Sequence, residues 1–170
     1  PVPSFGDPNA RMFIIGLAPA AHGGNRTGRI FTGDRSGDWL YGALYQAGFA
    51  NQPTSVHRDD ALVLKDCYIT AAVHCAPPDN KPLPEEFTAC RPYLLEELTL
   101  LKQVRIVVAL GRIAFHAYLT ARRALSLFVP SPVPRFGHGV TSLLPDGVTL
   151  IGSYHPSQQN TFTGRLTKPM

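Results

Sequence analysis

Apolar and polar positions fall into two alternating rhythms along this chain. The stretches RMFIIGLA (11–18), DCYITAAVHCA (66–76), VRIVVALG (104–111) and VTLIGSYH (148–155) are compact, largely apolar runs that give way to Gly, Pro or polar clusters. Runs of that kind predict strands buried on both faces. Between them, SGDWLYGALYQAGF (36–49), PEEFTACRPYLLEELTLLK (84–102) and RIAFHAYLTARRAL (112–125) read as helices. Ser36 or Asp38 can cap the first helix, and Gly48 lies near its end. The second opens on Pro84, Glu85 and Glu86, residues that suit a first helical turn. Within it, Pro92 predicts a kink or a fresh start. The order β-α-β-α-β-α-β predicts an α/β fold, a parallel sheet with helices on both faces.

In open sheets of this class, ligands bind beyond the carboxyl ends of the strands. Three polar stretches follow predicted strands and should meet at that rim: APAAHGGNRTGRIFTGD, HCAPPDNKP and HPSQQNTFTGR. In the first, Gly16, Gly23, Gly24, Gly28 and Gly33 allow either a flexible connection or a close backbone approach to a ligand. Phe31 offers a stacking face for a flat group. Asp34 is the only carboxylate there, and it reads either as a charged group of a site or as a turn former or helix cap. In the second, Asn80 presents a donor and an acceptor that match the edge of a pyrimidine; a plain turn at Asp79-Asn80 accounts for it as well. His74 is expected to pack against the sheet. In the third, His155 ends a strand before Pro156, which disfavours helix there, and is followed by Ser157, Gln158, Gln159 and Asn160. Only Tyr154, Phe162 and Leu166 of that region could join a core. Arg165 and Lys168 could touch phosphates.

Composition narrows the class. A chain of 170 residues with 44% apolar content is expected to form one domain with a proper core. The net charge of +4 leans toward an anionic partner without deciding for one. No run of about 18 apolar residues occurs, so no membrane partner is expected. Cys67, Cys75 and Cys90 form no CxxC pair, which favours a reducing compartment such as the cytosol over a disulfide framework. No GxxxxGK[ST] or GxGxxG is present, so no nucleotide cofactor is expected. The abrupt opening PVPSFGDP and the ending RLTKPM suggest a domain that lacks N-terminal and C-terminal segments of a longer protein.

With these loops assembled, the sequence resembles the uracil-DNA glycosylase superfamily, and within it the family 5, or type b, enzymes of bacteria and archaea. The resemblance rests on GLAPAAHGGNRTGRIFTGD, TAAVHCAPPDNKPLPEE, VVALGRIA and SYHPSQQNTFTGRLT, in that order over nearly the whole chain. It implies a three-layer α/β/α sandwich with a central four-stranded parallel sheet. It also implies an enzyme of base-excision repair that flips uracil from DNA and hydrolyses its N-glycosidic bond. Hypoxanthine and ethenocytosine are further bases that relatives accept. The resemblance places Gly16, Leu17, Ala18, Phe31 and Asn80 around the base, with Phe31 stacking and Asn80 reading the edge. It makes His155 and Asp34 catalytic, and assigns DNA contact to Asn25, Arg26, Ser157, Gln158, Gln159, Asn160 and Arg165. Family 4 relatives read GEAPG where this chain has GLAPA, so the acid of that motif is missing and the role passes to Asp34. A catalytically silent damage-binding module of the same fold is the alternative. The implied partner is uracil-containing or damaged DNA, double- or single-stranded, bound by a monomer. Family members carry a [4Fe–4S] cluster on four Cys, of which Cys75 and Cys90 match two; the other two are expected upstream of this chain.

Overall fold

The computed structural model describes residues 1–167. In chain order the elements are β1 (Phe5–Gly6), β2 (Met12–Gly16), α1 (Gly24–Thr27), α2 (Arg35–Gln46), β3 (Cys67–Ala71), a 3₁₀ turn (Pro78–Asn80), α3 (Pro84–Leu100), β4 (Ile106–Leu110), α4 (Arg112–Ala124), β5 (Thr141–Leu143), β6 (Thr149–Ser153) and α5 (Gln158–Phe162). The strands form one sheet in the order β1-β3-β2-β4-β6-β5. The four central strands are parallel, as their apolar runs predict. Gly16 pairs with Ala71, Ile15 with Ala109 and Leu110 with Ser153, so β2, β3, β4 and β6 all end at one edge.

Two short strands extend the expected four-stranded sheet to six. β1 runs antiparallel to β3, and β5 antiparallel to β6. At two and three residues, neither is long enough to show a strand period in sequence. The central strands are shorter than the runs that announced them: 67–71 within 66–76, and 149–153 within 148–155. The surplus apolar residues turn away beyond the sheet edge and carry the loops.

Alternation along the strands divides the core in two. Ile14, Ile69 and Ala71 pack with Leu40, Tyr41 and Leu44 of α2 on one face. Phe13, Ile15, Val107, Ala109 and Leu150 pack with Leu94 of α3 and with Phe115, Tyr118 and Leu119 of α4 on the other. The layers are therefore α/β/α. Beside α2, an apolar groove of about 840 Å³ lies over Ile14, Val108 and Ile151, with Leu166 at its edge.

Helix starts differ from expectation in instructive ways. The N-cap of α2 is Asp34, not Ser36 or Asp38: Asp34 is extended (φ −144°, ψ 169°) and its side chain accepts from the Gly37 N–H, whereas the other two already lie within the helix. Pro92 does not interrupt α3, which runs unbroken from Pro84 to Leu100. The hydrogen bond that Pro92 cannot donate would have gone to the Thr88 carbonyl, and both residues are exposed, where that carbonyl is open to solvent. The polar segment after Pro156 also holds a helical turn, α5, which Ser157 caps by accepting from the Asn160 N–H. Phe162 does not join the core; it is 65% exposed, while Leu166 is buried.

The Pro92→Ala variant is expected to raise the free energy of unfolding by about 1–3 kcal/mol, since an exposed interior proline is the least favoured helical residue. Urea titration checks this. A lowered midpoint would mean that packing of α3 depends on the proline ring.

Candidate active site

The loop after β2 folds back so that its aromatic residue lies against the strand end it came from. A Cβ on Gly16 would sit 2.7 Å from the Phe31 ring, so only glycine leaves room for that contact. Phe31 is buried and has φ 56°, a left-handed conformation that is costly for a bulky side chain. Its carbonyl is similarly crowded, because a Cβ on Gly37 would lie 1.8 Å from it. Tyr41 Oη donates to the neighbouring Ile30 carbonyl at 2.8 Å.

His155, two residues beyond β6, brings its ring to 5.5 Å from the Phe31 ring at an interplanar angle of 33°. Gly111, just after β4, has φ 104° and lies against His155, where a Cβ would be 4.0 Å from the His155 Cβ, an ordinary contact. The rings thus meet across the ends of β2, β4 and β6. Burial lowers the His155 pKa from its ordinary value, and the negative charge of Asp34 partly offsets that. Asp34 Oδ1 accepts from the Gly37 N–H at 3.0 Å and from Ser36 Oγ. Its other oxygen, Oδ2, has no such partner among the described residues and faces Gly23, which has no room for a Cβ beside it. One oxygen therefore caps α2 while the other looks into the glycine-rich loop.

The Gly16 and Leu17 carbonyls accept from the Ala72 and Val73 N–H groups at 3.0 and 2.9 Å, which carries the β2–β3 pairing past the strand ends. Ala18 is half-buried on the same segment. Asn80 is exposed on the 3₁₀ turn with φ 55°, and its side chain has no hydrogen-bond partner among the described residues. Asn25 and Arg26 are exposed on α1, where Arg26 Nε donates to the His22 carbonyl at 3.0 Å. Gln158, Gln159 and Arg165 are exposed, but Asn160 turns inward and donates from Nδ2 to the His155 carbonyl at 2.9 Å. Asn160 therefore steadies the His155 backbone. Lys168 lies outside the described residues.

Sequence reasoning missed two contacts at this rim. The Arg35 guanidinium lies 4.8 Å over the Phe162 ring and ties α5 to the start of α2. The Tyr154 and His138 rings stack at 4.9 Å and 13°. An exposed aromatic in a polar stretch was the available signal for the first; nothing local pointed to the second.

His74 packs as expected. It is buried, with Nδ1 donating to the Val2 carbonyl at 2.9 Å and its ring 4.8 Å from Tyr93. Burial lowers its pKa, and the hydrogen bond to Val2 works against the shift.

Cys90 is buried beside this segment, and its Sγ accepts from the His74 N–H at 3.4 Å; Cys75 is exposed. A [4Fe–4S] cluster takes four thiolates. Cys67 cannot join the pair, because it is buried in the core on the α2 face, where burial pushes its thiol up to about 12. No group of three or more His, Cys, Asp or Glu among the described residues is placed to hold a metal. The described residues alone do not fit a four-thiolate cluster.

A sheet with a parallel centre, helices on both faces and strand-end loops that bring the Phe31 ring to the His155 imidazole defines a three-layer α/β/α domain with its candidate site at that edge. The chain belongs to the uracil DNA glycosylase superfamily, whose family model matches residues 3–170. It is 53% identical over 171 residues to the type-5 uracil-DNA glycosylase of Mycobacterium tuberculosis, a match covering all of this chain and 62% of that protein. It is 54% identical over 170 residues to the type-5 enzyme of Thermus thermophilus, covering all of this chain and 75% of that protein. A type-4 uracil-DNA glycosylase of Thermotoga maritima is more distant, at 27% identity over 154 residues, 89% of this chain and 67% of that protein. The chain thus spans less than two thirds of the length of the mycobacterial relative.

Buried His74 and half-buried His155 both favour the neutral form in the fold, so on acidification the unfolded chain takes up protons first. Stability is therefore lost as pH falls from about 7 through the ordinary imidazole range near 6.5, at up to about 1.4 kcal/mol per pH unit for each group. Urea unfolding between pH 7.5 and 5 should show a shallower loss in His74→Gln than in the wild type. An unchanged slope would exclude His74 as a contributor.

Proposed function

We propose that this domain removes uracil from DNA by hydrolysing the N-glycosidic bond, as part of base-excision repair. The observation that carries the reading is the Phe31–His155 pair at 5.5 Å over Gly16, with the Asp34 charge felt at His155. Phe31 stacks on an extruded base, and Asn80 pairs with the edge that distinguishes uracil. In hydrolysis the oxygen of water bonds to C1′ as the C1′–N1 bond breaks, and the bonding electrons leave on uracil. Asp34 Oδ2 orients that water, stabilises the cationic sugar and passes the released proton to solvent; the uracil anion takes up a proton from solvent in turn. His155, kept neutral by burial, donates an N–H toward the charge that develops on the base, an interaction stronger in the transition state than before it.

Extrusion costs a few kcal/mol, least at a mismatch. Exposed Arg26, Arg165, Gln158 and Gln159 offset it through phosphate and groove contacts. Double- and single-stranded DNA are both substrates in this reading, and the protein acts as a monomer in the cytosol. No helix among the described residues is long and apolar enough to cross a membrane. Cys75 and Cys90, adjacent through the His74 N–H, supply two thiolates of a structural [4Fe–4S] cluster whose other ligands come from outside the described residues. No catalytic step passes through it.

Single-turnover release of uracil from a G·U duplex tests the assignment. Asp34→Asn keeps an oxygen for the α2 cap, so folding is expected to be unchanged while the rate falls about 100-fold or more. His155→Ala should slow cleavage without matching loss of DNA affinity, and Phe31→Ala should weaken capture of the base. Full activity in Asp34→Asn would overturn its role. Binding by the wild type without release, on A·U, hypoxanthine and ethenocytosine duplexes as well as G·U, would identify a silent damage-binding module instead.

A further inference from the structure

A buried polar network behind the site does no chemistry in the mechanism above. Arg29 has 3% of its side chain exposed and donates from Nη1 to Asp60 Oδ1 at 2.7 Å and to Ser55 Oγ at 2.8 Å, and from Nη2 to the Arg58 carbonyl at 2.7 Å. Its guanidinium also lies 4.5 Å over the Phe5 ring. Asp60 gathers its own loop: the Val56 N–H donates to Oδ2 at 2.6 Å and the Leu62 N–H to Oδ1 at 3.1 Å. Burial raises the Asp60 pKa, but the Val56 N–H, Arg29 and the Leu62 N–H outweigh that and hold it at about 2. The pair is therefore charged at any ordinary pH.

The network ends at Phe31. Ser55 Oγ accepts from Arg29, which leaves its O–H to bond Thr32 Oγ1 at 2.6 Å. Thr32 is fully buried, and its hydroxyl reaches back to the Ile30 carbonyl at 3.4 Å; its own carbonyl accepts from Thr27 Oγ1 at 3.1 Å. Both neighbours of Phe31 are thus held by side chains from elsewhere in the fold. Between them Phe31 keeps a left-handed backbone that a bulky residue does not hold unless its surroundings over-determine it.

We propose that Arg29, Asp60 and Ser55 are positioning residues for Phe31: a charge-anchored chain of hydrogen bonds from the 55–62 loop through Thr32 sets the plane on which the base stacks. The inference rests on the stacking role given to Phe31. A relaxed loop would let the ring leave Gly16 and turn from His155, so the cost would fall on base capture and cleavage and not on DNA affinity, which comes from phosphate contacts elsewhere.

A double-mutant cycle in the intact protein tests it. Arg29→Ala or Asp60→Ala strands a buried charge and risks unfolding. Ser55→Ala removes a single hydroxyl and leaves the Arg29–Asp60 pair in place. Single-turnover uracil release, scaled to the folded fraction, is measured for the wild type, Ser55→Ala, Phe31→Ala and the double variant, with duplex affinity for each. Ser55→Ala is expected to lower the rate about tenfold with affinity changed less than about twofold. In the Phe31→Ala background the same change should cost under about twofold, because contacts in series are not additive. A merely structural role would move the midpoint of unfolding and leave the two rate effects additive. An unchanged rate in Ser55→Ala, or full additivity, overturns the proposal while a slowed Phe31→Ala keeps the stacking reading intact. An unchanged rate in Phe31→Ala removes the stacking reading and the proposal with it.

Discussion

The left-handed backbone at Phe31 is the constraint around which the strand-end edge is arranged. A bulky residue held there needs space on two sides and hydrogen bonds on both flanks, and each requirement has written itself into the chain. Gly16 clears the floor beneath the ring, and Gly37 clears the carbonyl. Tyr41 holds Ile30, while Ser55 and Thr27 hold Thr32. Four separate segments thus converge on one residue, and the same convergence ties the glycine-rich loop to α2 and to the 55–62 loop. A flexible connection would show none of these contacts. The glycines here create close packing where flexibility is the usual inference.

Asp34 shows how one side chain serves folding and chemistry together. Two readings of it competed in the sequence, a helix cap and a charged group in a site. A carboxylate has two oxygens, and the fold divides them: Oδ1 closes the first turn of α2, and Oδ2 faces Gly23 in the glycine-rich loop. The cap fixes the direction of the free oxygen, which a carboxylate on an unrestrained loop would lack. His155 is placed with similar economy. It follows a buried strand and Asn160 holds its carbonyl, which fixes the backbone from which the ring approaches Phe31.

Most of the architecture was legible because buried parallel strands and amphipathic helices have periods that survive in a single sequence. The four apolar runs became β2, β3, β4 and β6, and the three helical stretches became α2, α3 and α4. The edge strands β1 and β5 escaped because two or three residues carry no period; the pairing that defines them belongs to β3 and β6. The fresh start allowed for at Pro92 does not occur, because an exposed helix face leaves the abandoned carbonyl open to solvent, a property of the folded surface. Phe162 misled for a related reason. Apolar character marks a residue that could be buried, but a guanidinium over its face serves as well at a solvent-exposed rim.

The chain by itself determined the α/β class, the parallel centre of the sheet and the polar loops that follow its strands, since these follow from local pattern and from the handedness of crossovers. It also carried the motifs by which the superfamily is recognised. Tertiary structure alone decided that Phe31 and His155 face each other, that Asp34 keeps one oxygen free, that Asn160 turns inward, and that Arg29 and Asp60 are joined behind the site. Those facts depend on residues distant in sequence sharing a low-dielectric interior, where each buried donor and charge must find a partner. No local pattern encodes which partner it finds.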